Sequence, residues 1–291
     1  MTAVPIAASN GIEICYDAVG HPDDPTVLLV MGLGSQMVHW PDAFCAALAE
    51  RGHRVVRFDN RDTGGSTRFD GDTADVSAAI GGGVVSVPYL LADMADDAAG
   101  LLDHLGVDRA HVFGVSMGGM IAQTIAIRHP ARVASLTSVM STTGDPDVGT
   151  PTREAMAELM GPPPTTRQAY QDAAVHHAHV WGSPGLFDEA LLRETAGRAW
   201  DRGYDPAGTA RQLVAIMSSG SRSAELAALA VPTLVIHGTA DTLVQPSGGE
   251  RTAEVIPDAK LLVVDGMGHD LAPPLWPQII DAVAAHAAEH A

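Results

Sequence analysis

The stretch AHVFGVSMGGM, residues 110–120, sets the local pattern from which the rest of the chain is read. Residues 110–115 form a short apolar run of the kind that makes a buried strand, and residues 117–128 have the composition of a helix. Ser116 stands at the junction, inside Gly114-Val115-Ser116-Met117-Gly118 and followed by Gly119. A chain that turns from strand to helix at one residue forces that residue into an unfavourable backbone angle, and small neighbours relieve the crowding. The helix that follows offers free N–H groups and a positive dipole end. A pattern with three fixed positions is weak by itself and also fits a glycine-rich turn that only packs. Its strand–turn–helix setting makes Ser116 a candidate nucleophile.

Working outward, strand-like runs at 12–19, 26–31, 54–58, 133–139, 231–237 and 260–264 alternate with helical patterns at 41–51, 88–105, 247–255 and about 275–289. That alternation predicts a mostly parallel sheet flanked by helices. Between 143 and 223 the rhythm stops. Helical stretches at 152–160, 166–181, 187–201 and 206–218 follow one another with no strand-like run. We expect a core of residues 1–142 and 224–291, with a helical cap, 143–223, over the carboxyl ends of the strands, where open α/β sheets bind ligands. The irregular stretch 68–87, with Gly81-Gly82-Gly83, fits a flexible surface loop or a mobile flap beside the cleft, and the surface loop is the preferred reading.

A serine needs a base within hydrogen-bond reach. Of 13 histidines, His269 is best placed, in Gly266-Met267-Gly268-His269-Asp270 directly after the strand-like run 260–264. His176, His177 and His179 fall in the insert and read as surface or packing. Asp241 follows the run 231–237 and precedes His269 by 28 residues, room for one helix and one strand. It is the expected acid, holding the imidazole tautomer. Asp145, after 133–139, is the rival; Asp265 and Asp270 are too close to His269 along the chain to reach its ring. Two backbone N–H groups should face the developing oxyanion. Met117 supplies one, and Leu33, in Met31-Gly32-Leu33-Gly34, supplies the other. Trp40 and Trp181 are candidate substrate-binding residues, although Trp40 fits equally well packed beneath the cleft.

The formal net charge of −18 disfavours a nucleic-acid or anionic-membrane partner, since both need a basic surface. Cys15 and Cys45 read as small buried hydrophobes, with no third ligand for a metal nearby. Neither an apolar run of spanning length nor a signal-like N-terminus is present, so a cytoplasmic protein is expected. A homo-oligomer is compatible with the sequence.

VLLVMGLGS, RVVRFDNRDTGGST, AHVFGVSMGGM, PTLVIHGTAD and GMGHD occur in the order seen in the α/β-hydrolase fold family, and this chain resembles its branch with a helical cap. The stretch MG…W-P…DNRDTG-S is similar to esterases of the aclacinomycin methylesterase type and related actinobacterial hydrolases. The resemblance covers most of the chain outside 144–225. It implies the triad Ser116–Asp241–His269, no cofactor, and a small-molecule ester or lactone as substrate. It also implies that the charged loop around Asp59, Arg61 and Asp62 braces the nucleophile turn. Met31 stands where the family usually has histidine, which leaves the support of the oxyanion loop open. Dehalogenases and epoxide hydrolases of this fold carry aspartate at the turn, so Ser116 argues against both. A carbon–carbon bond hydrolase, a perhydrolase or a non-catalytic ligand-binding protein would keep the same residues. The apolar residues of the insert suggest a moderately apolar, neutral substrate.

Overall fold

The structure, a computed structural model, describes residues 4–71, 74–81, 83 and 85–290. Eight strands form one sheet: β1 (Ile6–Ser9), β2 (Ile12–Val19), β3 (Thr26–Val30), β4 (Arg54–Phe58), β5 (Ala110–Val115), β6 (Val133–Val139), β7 (Thr233–Gly238) and β8 (Lys260–Val264), in spatial order β1-β2-β4-β3-β5-β6-β7-β8. β2 pairs antiparallel with β1 and β4, and every pairing from β4 through β8 is parallel. The helices are α1 (Asp42–Ala49), α2 (Val76–Ile80), α3 (Leu91–His104), α4 (Met117–Arg128), α5 (Arg153–Leu159), α6 (Arg167–Val180), α7 (Glu189–Gly203), α8 (Pro206–Ser219), α9 (Ser223–Leu226), α10 (Ser247–Val255) and α11 (Trp276–Ala288).

The alternation of side chains along the strands builds two cores. Leu28 and Val30 of β3 join Val56, Val112 and Leu136 in the layer under α3 and α4, while Val27 and Leu29 join Val55, Phe113 and Ile236 in the layer under α1 and α11. β3, β5, β6 and β7 are buried along their whole lengths, as strands covered on both faces must be. α4 is buried from Met117 to Ala126 and is apolar on nearly every side, the pattern of a helix enclosed by the core rather than lying on it.

The expected strands are present to within a residue or two, and β1 and α9 are additions. Too short to announce itself, β1 is held by its ladder to β2 and by α3 behind it. Part of the stretch 68–87 departs from the expected loop. Residues 76–80 form α2, capped by the Asp75 side chain on the Ala78 N–H at 2.8 Å and packed on α8. Asp72, Thr73, Gly82 and Val84 of this stretch lie outside the described residues.

Helices α5–α9 lie between β6 and β7. α6 packs on α7, with Tyr170, Trp200 and Tyr204 in mutual ring contact. Charged side chains tie this insert to the loop after β4. Arg202 of α7 donates to Asp59 Oδ2 at 2.5 Å, and Arg211 of α8 grips both oxygens of Asp62 at 2.8 and 2.9 Å. Asp62 also accepts from the Tyr89 hydroxyl at 2.5 Å and the Phe69 N–H at 2.8 Å. Burial would raise the Asp62 carboxyl, but bonds from Arg211, Tyr89 and Phe69 outweigh it and hold the group below the ordinary carboxylate range. Arg61 turns instead to Asp97, at 2.7 Å to each oxygen, and its guanidinium lies over Phe69 and Tyr89. The charged loop therefore anchors the insert and α3, where bracing of the nucleophile turn was expected. Cys15 and Cys45 are free and buried. No helix among the described residues is long and apolar enough to cross a membrane.

Candidate active site

The parallel strands end along one edge, and the loops leaving β3, β5, β7 and β8 carry the candidate residues. Ser116, the residue between β5 and α4, has φ 55° and ψ −123°, a left-handed conformation in which a side chain is strained. Its N–H donates to Val139 O at 2.9 Å, and its carbonyl accepts from Ser141 Oγ at 2.8 Å and from Gly119 N at 2.9 Å. The turn is crowded enough to require glycine. A Cβ at Gly114 would lie 2.0 Å from Gly118 O, and one at Gly118 would lie 2.0 Å from Val30 O.

His269 Nε2 is 2.9 Å from Ser116 Oγ, and its Nδ1 is 2.7 Å from Asp241 Oδ2. The other Asp241 oxygen accepts the N–H groups of Leu243 and Val244, both at 2.9 Å. With both carboxylate oxygens occupied as acceptors, Nδ1 carries the proton and donates it to Asp241, leaving the Nε2 lone pair for the serine hydroxyl. Burial pushes the Asp241 carboxyl up. The charge of His269 and hydrogen bonds from His237 and His269 outweigh that and hold it at about 2. His237 is itself buried, its Nε2 2.7 Å from Val244 O and 3.4 Å from Asp241 Oδ2. The rival acid is committed elsewhere: Asp145 bonds Ser221, Ser223 and Arg251, and those bonds keep its carboxyl well below the ordinary range.

Gly32 brings the loop after β3 against Ser116, since a Cβ there would sit 3.2 Å from the Ser116 Cβ. Among the described residues, neither the Leu33 nor the Met117 N–H has a protein acceptor. The support expected from a histidine at position 31 is supplied otherwise. Asn60 Nδ2 donates to Met31 O at 2.9 Å, and Gln212 Oε1 accepts the Gly34 N–H at 2.8 Å. The Gln212 amide also donates to Arg61 O at 2.7 Å, so this fully buried residue of α8 joins the loop after β3 to the loop after β4. Sequence reasoning missed Gln212 because a glutamine in an amphipathic helix carries no mark of burial.

Of the two tryptophans, Trp40 is enclosed in the core. It is 0 % exposed, stacked on Phe44 at 5.7 Å and edge-on to Phe113 at 5.2 Å in the layer under α1 and α11. An indole enclosed on all sides has no face to offer a ligand, and the packing alternative is the one realised. Trp181 is partly exposed, with its ring on His177 at 4.5 Å and its carbonyl accepting the His269 N–H at 2.5 Å. Met156, Met160 and Met217 of the insert are exposed. Away from these loops, His286, Glu289 and His290 bring ligand-type atoms within 4.8 Å of one another, with Glu289 paired to Lys260.

The model of the alpha/beta hydrolase fold matches residues 25–272. The rhodomycin D methylesterase DauP of Streptomyces sp. (strain C5) is 29% identical to this chain over 304 residues, 94% of this chain and 95% of that protein. The putative carbamate hydrolase RutD of Variovorax paradoxus (strain S110) is 30% identical over 261 residues, 87% of this chain and 88% of that protein. The enol-lactonase from Burkholderia xenovorans LB400 is similar in structure, with a TM-score of 0.75 at 24% identity over 98% of this chain and 100% of the other, and at that identity the likeness speaks for the fold alone. By its sheet order, its turn at Ser116 and this match over most of its length, the chain belongs to the α/β-hydrolase family.

Proposed function

We propose that this hydrolase cleaves the carboxylic ester or lactone of a small to medium, rather apolar substrate through an acyl-enzyme on Ser116. The observation that carries the reading is the hydrogen-bonded chain Ser116–His269–Asp241, at 2.9 and 2.7 Å, at the end of a strained strand-to-helix turn. Ser116 Oγ attacks the carbonyl carbon while His269 Nε2 takes the hydroxyl proton. The oxyanion is received by the Leu33 and Met117 N–H groups, whose freedom from protein acceptors leaves them available. His269 then gives its proton to the departing alcohol. In the second half, water attacks the acyl carbon with His269 again as base, and Ser116 recovers its proton. Asp241 keeps Nδ1 protonated and stabilises the imidazolium without taking the proton itself. In this reading residues 1–142 and 224–291 carry the chemistry. Residues 143–223 form the cap, and Trp181 sits at the cleft.

The likeness to a methylesterase over nearly the whole chain favours an ester, and methyl esters of bulky polyketide-like acids belong in the substrate panel beside short p-nitrophenyl esters. Ser116→Ala should abolish turnover of the p-nitrophenyl ester, by about 10³-fold or more, with the melting temperature preserved. Unchanged turnover in that variant would overturn the reading. A protein that a fluorophosphonate labels at Ser116 but that turns over no ester of the panel would be a binding protein instead.

A further inference from the structure

Three consecutive residues of the insert hold three consecutive residues of the loop that carries His269. Trp181 O accepts the His269 N–H at 2.5 Å. Ser183 Oγ accepts the Gly268 N–H at 2.9 Å and donates its own proton to Asp270 Oδ1 at 2.5 Å. Gly268 and Gly182 press together between these bonds, so closely that a Cβ on Gly268 would lie 2.2 Å from the Gly182 carbonyl carbon. Ser183 is 0 % exposed, and burial raises the Asp270 carboxyl against the bonds from Ser183 that lower it. A second tie runs from Thr242 Oγ1, one residue after Asp241, to Val180 O at 2.9 Å.

We propose that Ser183 is a positioning residue for His269. This rests on the reading of His269 as the base. The serine hydroxyl sits between the backbone before His269 and the side chain after it, so one group fixes both flanks of the imidazole's residue. Its hydroxyl has one proton and two lone pairs. The Asp270 carboxylate takes the proton, which turns a lone pair to the Gly268 N–H. Asp270 thus orients the hydroxyl, and the hydroxyl orients the loop. The insert thereby takes part in the geometry of the reaction, since Ser183 and Trp181 follow directly on the end of α6. The Ser116–His269 distance is maintained jointly by the core and the insert.

The test compares Ser183→Ala, Asp270→Ala, their double variant and Asp270→Asn in p-nitrophenyl ester hydrolysis, with Ser116→Ala as control. A loop shifted by about an ångström loses on the order of 10²-fold in rate. Each alanine variant should therefore lose 10- to 100-fold in kcat, with KM within about threefold of the parent. The double variant should lose no more than the worse single, because both remove one device. Asp270→Asn keeps an oxygen acceptor for the Ser183 proton and should stay within about threefold of the parent, which separates position from charge. Unchanged kcat in the single variants, losses that multiply in the double, or an Asp270→Asn loss equal to that of Asp270→Ala would each overturn the proposal. If Ser183→Ala does not fold, the two Asp270 variants decide by the same criteria. Turnover surviving in Ser116→Ala would instead remove the reading of the base on which the proposal stands.

Discussion

Replacing Asp241 with asparagine tests the direction of every proton in the candidate triad. In the parent, Oδ2 accepts from His269 Nδ1 at 2.7 Å, while Oδ1 accepts from the Leu243 and Val244 N–H groups at 2.9 Å. An asparagine has one oxygen and one NH2 to serve these two sides. With its oxygen on the backbone donors, the NH2 faces Nδ1, which must then accept. The ring proton moves to Nε2, and the ring can no longer take the Ser116 proton. The opposite rotamer restores the productive tautomer but turns the NH2 against two N–H donors. Leaving the part-buried Leu243 and the buried Val244 donors unpaired costs about 1–3 kcal/mol each, or about 2–6 kcal/mol together. At 1.36 kcal/mol per tenfold, the productive form falls to between about 1 in 30 and 1 in 3 × 10⁴. The expected loss in kcat for p-nitrophenyl ester hydrolysis at neutral pH is therefore about 30- to 3 × 10⁴-fold, with KM little changed. A kcat within threefold of the parent, in a variant that melts as the parent does, would refute both the tautomer argument and the role of Asp241.

Other outcomes follow from single contacts. The Asp241 carboxyl is held at about 2, below its ordinary 3.8. A depressed value means that its stabilisation, on the order of 2 kcal/mol, is complete above about pH 4 and is lost as the pH falls toward 2. Urea denaturation from pH 5 to pH 2 should show the parent losing about that much more stability than Asp241→Asn, and parallel curves would contradict it. Gly118→Ala should cost about 3 kcal/mol or more, because the new Cβ meets two fixed backbone oxygens, Val30 O at 2.0 Å and Met31 O at 2.7 Å; a melting temperature within a degree or so of the parent's would refute the crowding argument. Gln212→Ala leaves the Gly34 N–H and the Arg61 carbonyl without their partner. It should lower stability by about 2–4 kcal/mol and slow acylation with it. Full stability by denaturant titration would count against its bracing role.

What was legible in the sequence was whatever local chemistry compels. The glycines at 114 and 118 are required because a Cβ at either would lie 2.0 Å from a backbone oxygen, within the turn or on the strand beside it, so they stand as a pattern in one short stretch. His269 and Asp241 were found because chain order and strand ends fix which loops share an edge of a parallel sheet. The residues that escaped, Gln212, Ser183, Arg202 and Arg211, make these bonds across 85 to 178 positions of chain. A buried glutamine or arginine in a helix has the same periodicity as an exposed one until its partner is known. The charged loop after β4 reads as structural in the sequence, yet the charged partners of Asp59, Arg61 and Asp62 lie on α3 and the insert, elements whose approach no local pattern encodes. Trp40 left two alternatives because an indole before a helix suits a cleft and a core equally well. Only Phe44 and Phe113 closing over it decide the matter.

The anchoring of α7 and α8 through Arg202–Asp59 and Arg211–Asp62 has a consequence for protein engineering. Both aspartates are 0 % exposed, so a graft that exchanges residues 143–223 for the corresponding helices of a relative would strand two enclosed anions unless the donor brings matching cations. The loop after β3 would lose Gln212 in the same operation. The transferable module is therefore discontinuous: the helices together with residues 59–62 and 31–34. Chimeras cut along those seams should fold where chimeras cut at the ends of β6 and β7 aggregate.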